Sequence, residues 1–301
     1  MAQRPRPLEV IVVDGSSSDA TREIARQEGA TVISNPKRII PAALNCGLAA
    51  ARGDVLVRFD AHSEMTPGYL EACLRALASD PAAINAGGWC EVRGERPWGR
   101  ALAAALSSPF GVGNARLWRR PANGSTRAQV DSVPFGCYRA SALRSIGGWE
   151  NGLPVNEDFA LNARLRAAGG RVIFDPSIQA LYHPRESLGQ IARQYWRYGR
   201  WKAAMLKRSP RSLRARQLAP PALLATIALA FVPRREALPA RLAVAGYVAG
   251  LGFASARAGG GLRTAVLLAS LHLSWGSGFL YGLVSGSALD PRRADDATRA
   301  P

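Results

Sequence analysis

The sequence predicts an α/β fold: a Rossmann-type, mainly parallel sheet with helices on both faces, followed by C-terminal transmembrane helices. Three observations carry that expectation. Apolar strand-like runs alternate with helical patterns through the first part of the chain, acidic residues end two of those runs, and charge disappears over long stretches of the last third.

Leu8 to Val13 is a continuous apolar strand pattern, followed by a helix from Asp19 to Glu28 capped by Asp19. Thr31 to Ser34 reads as a strand and Pro41 to Ala51 as a helix. The next strand is Asp54 to Phe59 and the next helix Gly68 to Ala78. Strands joined by helices imply crossover connections, and ligands then bind at the carboxyl ends of the strands, where Asp14 and Asp60 fall.

The last third changes character at Gln217. Leu218 to Val232 and Leu242 to Ala256 are uncharged runs of 15 residues, and Thr264 to Leu289 is one of 26. A helical span needs about 20 residues, so the third run is the clear candidate and the first two are marginal. A basic stretch with Trp196 and Trp201 precedes them, which favours three membrane segments. The expected division is an α/β body over 1–186, a basic interfacial segment over 187–216, a membrane region of about three helices over 217–289, and a disordered tail over 290–301.

Of 301 residues, 39 are Lys or Arg and 22 Asp or Glu, a formal charge of +17. Nine of the basic residues lie within 193–216, which has no acid. Charge concentrated before an apolar region points to a membrane surface and a cytoplasmic body, not to nucleic acid. Cys46, Cys73, Cys90 and Cys137 are irregularly spaced without a C-x-x-C, as expected of reduced thiols. No apolar run follows the arginines of MAQRPRPLEV, so no signal peptide is expected.

Asp14 stands before Gly-Ser-Ser-Ser-Asp, where small residues let backbone amides approach a ligand and the carboxylate can accept from a base or ribose; a plain turn reads equally well. Asp60 and His62 are two residues apart at a strand end, which suits a divalent ion held against a diphosphate, or a solvated terminus. Asn156-Glu157-Asp158 opens a helix, where the acids serve as dipole partners or put a general base in a cleft. Leu188, Ile191, Tyr195, Tyr198 and Met205 have helical spacing among arginines and tryptophans, an amphipathic interfacial pattern.

In order, the strings VIVVDGSSSDAT, NPKRIIPAALNCGLAAARGDVLVRFDAH, VDSVPFGCYRASAL, NEDFALNARLRAAGGRVIFDP and RQYWRYGRWKA resemble an inverting family 2 glycosyltransferase, and within it the succinoglycan-type (ExoA-like) membrane glucosyltransferases. The resemblance covers residues 8–290 and implies a GT-A-like fold. It implies that Asp14 contacts the nucleobase or ribose, with Lys37, Arg38 and Asn45 also on the donor side. Asp60 and His62 would occupy the D-x-D position that holds Mg²⁺ or Mn²⁺, the histidine departing from the acidic pattern and suiting Mn²⁺ better. His183 matches either a third metal ligand or a structural histidine. Gly136 would lie near the donor sugar, Asp158 would be the catalytic base beside Glu157, and Gln194, Arg197 and Tyr198 look like a shortened Q-x-x-R-W element.

The implied partners are a nucleotide-diphosphate sugar, with UDP-glucose as the donor, a lipid-linked saccharide acceptor, and the inner membrane, crossed several times with the catalytic body cytoplasmic. Relatives begin with a further strand and a Tyr-Asn-Glu-like segment that Leu8 would follow, so the body is expected to be N-terminally shortened. A non-catalytic scaffold of a polysaccharide assembly complex is the second reading. A dinucleotide oxidoreductase is set aside, since no G-x-G-x-x-G follows a strand.

Overall fold

The computed structural model describes residues 3–111, 115–208 and 210–285. Within that range the chain forms two compact units, one from residues 3–90 and 121–181, the other from 91–120 and 182–285. The tail expected over 290–301 lies outside the described residues.

The first unit opens with β1 (Ile11–Asp14), α1 (Thr21–Gln27), β2 (Thr31–Ser34) and α2 (Ile40–Ala50). It continues with β3 (Val55–Val57), β4 (Ser63–Met65), α3 (Tyr69–Ala78) and β5 (Ala83–Val92). After α4 (Pro97–Ser107), whose place is the second unit, come β6 (Ala128–Gln129), β7 (Cys137–Arg139), α5 (Ala140–Ser145), α6 (Glu157–Ala167) and β8 (Arg171–Tyr182). The expected α/β alternation is present, and the strands divide between two sheets. β1 and β2 form a parallel pair, with Asp14 opposite Ser34 at their carboxyl ends. The larger sheet has the order β3-β7-β5-β8-β4, with β6 on β8. Because β7 is antiparallel to both β3 and β5, those two strands point the same way.

Local sequence explains the helix starts. Pro41 sits in the first turn of α2, where its missing N–H costs nothing. Gly68 takes φ 78° before α3, which buries Tyr69, Ala72, Cys73, Ala76 and Leu77 at helical spacing. Asn156 takes φ 64° before α6, a left-handed conformation that asparagine tolerates, and this sets Glu157 and Asp158 in the first helical turn. A core of Leu48, Tyr138, Leu143, Trp149, Leu161 and Leu165 joins α2, β7, α5 and α6. All four cysteines are free, and Cys73, Cys90 and Cys137 are buried.

The second unit adds α7 (Leu188–Arg208), α8 (Ala219–Ala230), α9 (Leu238–Arg257) and α10 (Gly261–Val284) to α4. Leu102 and Leu106 of α4 share one buried cluster with Ile191 of α7 and with Leu267, Leu268 and Leu271 of α10. Helix α4 thus packs with the C-terminal helices, although a linear division assigns it to the α/β body. Gly199 faces the Trp275 carbonyl and Gly278 the Trp196 carbonyl with no room for a Cβ, so α7 and α10 approach backbone to backbone.

By length and composition, two described helices are able to cross a membrane: Arg235–Arg257, which includes α9, and α10. The apolar run behind α9 had looked marginal because Leu238–Arg241 extend its helix beyond the uncharged residues. Three full spans do not follow, since α8 has 12 residues, about 18 Å at 1.5 Å per residue, against the roughly 30 Å of a hydrocarbon core.

Candidate active site

Two carboxylate sites lie at strand ends of the α/β unit. At the end of β1, Asp14 is buried and accepts hydrogen bonds from the amides of Ser16 (3.0 Å) and Ser17 (3.1 Å) and from the Ser17 hydroxyl. Arg22 approaches the same carboxylate at 3.7 Å. The Ser17 hydroxyl, with both amides, holds Asp14 below the ordinary carboxylate range. Ser16 takes φ 71° in this turn. Lys37 and Arg38 are exposed in the loop after β2, whose Asn35 amide donates to the Asp14 carbonyl at 2.7 Å.

The second site is organised by a residue the sequence reading passed over. Arg58 follows β3, its amide donates to the Gly136 carbonyl at 3.1 Å, and its side chain is 7% exposed. Its guanidinium meets three carboxylates: Asp60 at 3.3 Å, Glu157 at 3.0 Å, and Asp158 in close contact. The Nη1 contacts are ion pairs outside hydrogen-bond alignment. Against the weakening effect of burial, Asp158, Glu157 and Asp60 hold the guanidinium well above its ordinary value. Glu157, 9% exposed, is pushed up to about 7 by burial first and then by the Asp158 charge. Asp158 is 27% exposed and Asp60 34%.

Asp158 has a second tether. The Trp149 indole donates to its Oδ1 at 3.3 Å. Trp149 is in turn clamped by Asn45, whose Nδ2 donates to the Trp149 carbonyl at 2.7 Å and whose Oδ1 accepts from its amide at 2.9 Å. Both polar ends of Asn45 are spent on this clamp, so its link to the cluster runs through the indole. Gly136 is buried where a Cβ would fall 2.6 Å from Asn85 Oδ1, and its φ-positive neighbour Phe135 turns the chain into β7.

Asp60 and His62 share the turn between β3 and β4, closed by the Ser63 amide on the Asp60 carbonyl at 3.1 Å. His183, Gln194, Arg197 and Tyr198 belong to the second unit. His183 follows β8, and on α7 Gln194 donates to the Tyr198 hydroxyl at 2.8 Å. Among the described residues no group of three or more His, Cys, Asp or Glu side chains is placed to hold a metal ion. The donor set at Asp60 nevertheless fits one. Three carboxylates face one guanidinium, so the cluster is over-negative when all are ionised, and Asp60 keeps a partly exposed edge. Divalent ions at phosphate sites characteristically take one or two carboxylates and complete their shell with substrate oxygens and water.

A carboxylate pair at a helix start, joined through an arginine to a third carboxylate at a strand end, suits chemistry that removes a proton from one group while charge develops on another. The Glycosyl transferase family 2 model matches residues 1–144. The succinoglycan biosynthesis protein ExoA of Rhizobium meliloti is 31% identical over 290 residues, covering 91% of this chain and 86% of that protein. The pre-mycofactocin glycosyltransferase of Mycobacterium tuberculosis is 32% identical over 68% of this chain and 44% of its own length. Among solved structures, a mannosyltransferase from Pyrobaculum calidifontis, in complex with GDP-mannose and Mn²⁺, superposes with a TM-score of 0.61 at 18% identity, covering 92% of this chain and 78% of that one, which supports the GT-A-like fold. With that identity to ExoA sustained over nine-tenths of its length, the chain belongs to glycosyltransferase family 2, is ExoA-like within it, and is a glycosyltransferase.

Proposed function

We propose that the protein moves a hexose, glucose from UDP-glucose, onto a hydroxyl of a lipid-linked saccharide in exopolysaccharide biosynthesis, inverting the anomeric centre. The observation that carries the mechanism is the partly exposed Asp158 carboxylate, fixed on the same guanidinium as Asp60. Asp158 takes the proton of the acceptor hydroxyl as that oxygen bonds to the anomeric carbon. The bond from that carbon to the diphosphate breaks, and the electron pair leaves with the nucleoside diphosphate. One in-line displacement turns an α-linked donor into a β-glycoside without a covalent enzyme intermediate.

On the donor side, Asp14 with the Lys37-Arg38 loop takes the nucleoside end, Asn45 acts through Trp149, and Gly136, packed against Asn85, holds the Arg58 backbone through its carbonyl. Asp60 and His62 would hold Mg²⁺ or Mn²⁺, which when bound would neutralise charge on the diphosphate. Arg197, with Gln194 and Tyr198 of α7, is a positive group suited to a phosphate. Glu157, its carboxyl pushed up to about 7, is only partly ionised near neutral pH and so adds less negative charge beside the base.

The name of the Rhizobium relative supports the exopolysaccharide assignment, and the exposed apolar residues of the second unit support a membrane site. Leu242, Val248 and Phe253 of α9 and Phe231 after α8 are all exposed. Membranes carrying the full chain, given UDP- and GDP-sugars in turn, should consume UDP-glucose and label a lipid-extractable product; consumption of none contradicts the proposal. High salt, which screens basic attraction, should leave the protein in the membrane pellet, because apolar insertion does not depend on ionic strength.

A further inference from the structure

We propose that Arg58 is a positioning residue for the transfer step, setting the placement of the Asp158 carboxylate relative to Asp60. This rests on the reading of Asp158 as base and Asp60 as the donor-side carboxylate. Arg58 leaves the strand two residues before Asp60, and its backbone is fixed by the Gly136 carbonyl. With only 7% of its side chain exposed, it has little surface to offer a substrate. Its contacts divide by edge. Nε and Nη2 lie on Asp60 at 3.4 and 3.3 Å, and Nη1 lies on Glu157 and Asp158. A planar guanidinium holds two such edges at a set angle, which an ammonium on a flexible stem does not.

Asp158 is consequently tied at both oxygens, Oδ1 by Trp149 and Oδ2 by Arg58, and the first of these tethers is rooted in Asn45 on α2. The second joins the start of α6 to the exit of β3, one hundred residues earlier in the chain. A purely stabilising role explains this poorly. One cation among three carboxylates does not balance them, and buried ion clusters are often replaceable by apolar groups without loss of stability. Fixing the base against the donor-side carboxylate is a use that needs the arginine's shape, and a misplacement of about 1 Å in such a pair costs on the order of a hundredfold in rate.

The test is a double-variant cycle on the full chain in membranes, with Arg58→Lys, Asp158→Asn and the pair, reading kcat and donor KM, and with thermal unfolding as a check on folding. Arg58→Lys should lower kcat about a hundredfold and raise donor KM far less. In the Asp158→Asn background the same change should cost under about threefold, because the group it positions is gone. Equal costs in both backgrounds, or an Arg58→Lys kcat near the parent's, overturn the proposal. If Arg58→Lys melts far below the parent, Arg58→Gln, which keeps a planar end, goes through the same cycle with the same criterion. An Asp158→Asn enzyme that transfers at the parent rate overturns the base assignment itself, and the role of Arg58 with it, an outcome read from that single variant alone.

Discussion

Asp14 and Glu157 are both buried carboxylates in the α/β unit, and their surroundings push them in opposite directions. Asp14 takes its partners from the next three residues, and those short hydrogen bonds keep it charged. Glu157 gains a buried place beside another acid and shares one arginine from another part of the chain, so its carboxyl is pushed up to about 7. Local partners make a carboxylate a stable fixture of a turn. Distant, shared partners leave it over-crowded with charge and therefore responsive, a condition that suits a reaction centre.

Changes on the two sides should separate accordingly. The largest effect is expected from Asp60→Asn, which should lower transfer about a thousandfold and abolish any response to added Mg²⁺ or Mn²⁺ while the protein stays folded. Metal-dependent transfer at the parent level would remove Asp60 from the donor site. Asp14→Asn should act about tenfold, on donor KM with kcat little changed, since the turn serves binding; a pure kcat effect would erase the distinction between the two sites.

Stability should distinguish them by sign. The Glu157 carboxyl, ordinarily at 4.5, is raised in the folded protein, so its contribution is full below that value and is lost as pH rises through about 7. Between about pH 5 and about pH 8 the melting temperature of the parent should fall more than that of Glu157→Gln; parallel curves would mean that Glu157 is not raised. Asp14 is depressed, so its contribution is present above its ordinary value of 3.8 and is lost on acidification. Ser17→Ala should cost about 1 kcal/mol at neutral pH, with the difference from the parent shrinking in acid. A cost independent of pH would detach Ser17 from the Asp14 charge.

The same contrast governs what could be read from the chain. The alternation of strands and helices, the position of Asp14 and Asp60 at strand ends, and the acids at the start of α6 depend on neighbours within a few residues, and all are visible in sequence. Arg58 was not, because an arginine in VRFD looks like any solvated strand residue until Glu157 and Asp158 arrive beside it. Its one signal was an arginine interrupting an otherwise apolar strand, at the same parity as Asp60. Asn45 was read as a donor contact, yet its amide is matched to the backbone of Trp149, 104 residues on. Helix α4 shows only an amphipathic pattern, which says that it packs but not on what. The short α8 and the longer α9 began as uncharged runs of equal length, and only their helix boundaries separate them.

The most direct measurement is donor binding and sugar transfer in parallel on Asp158→Asn, with UDP-glucose titrated by calorimetry and transfer followed by radiolabel in the same preparation. If Asp158 takes the acceptor proton, donor affinity stays within about threefold of the parent while transfer falls by about a thousandfold, within the usual range for a lost general base. Transfer at close to the parent rate with binding intact would contradict the assignment and move the base to another acid.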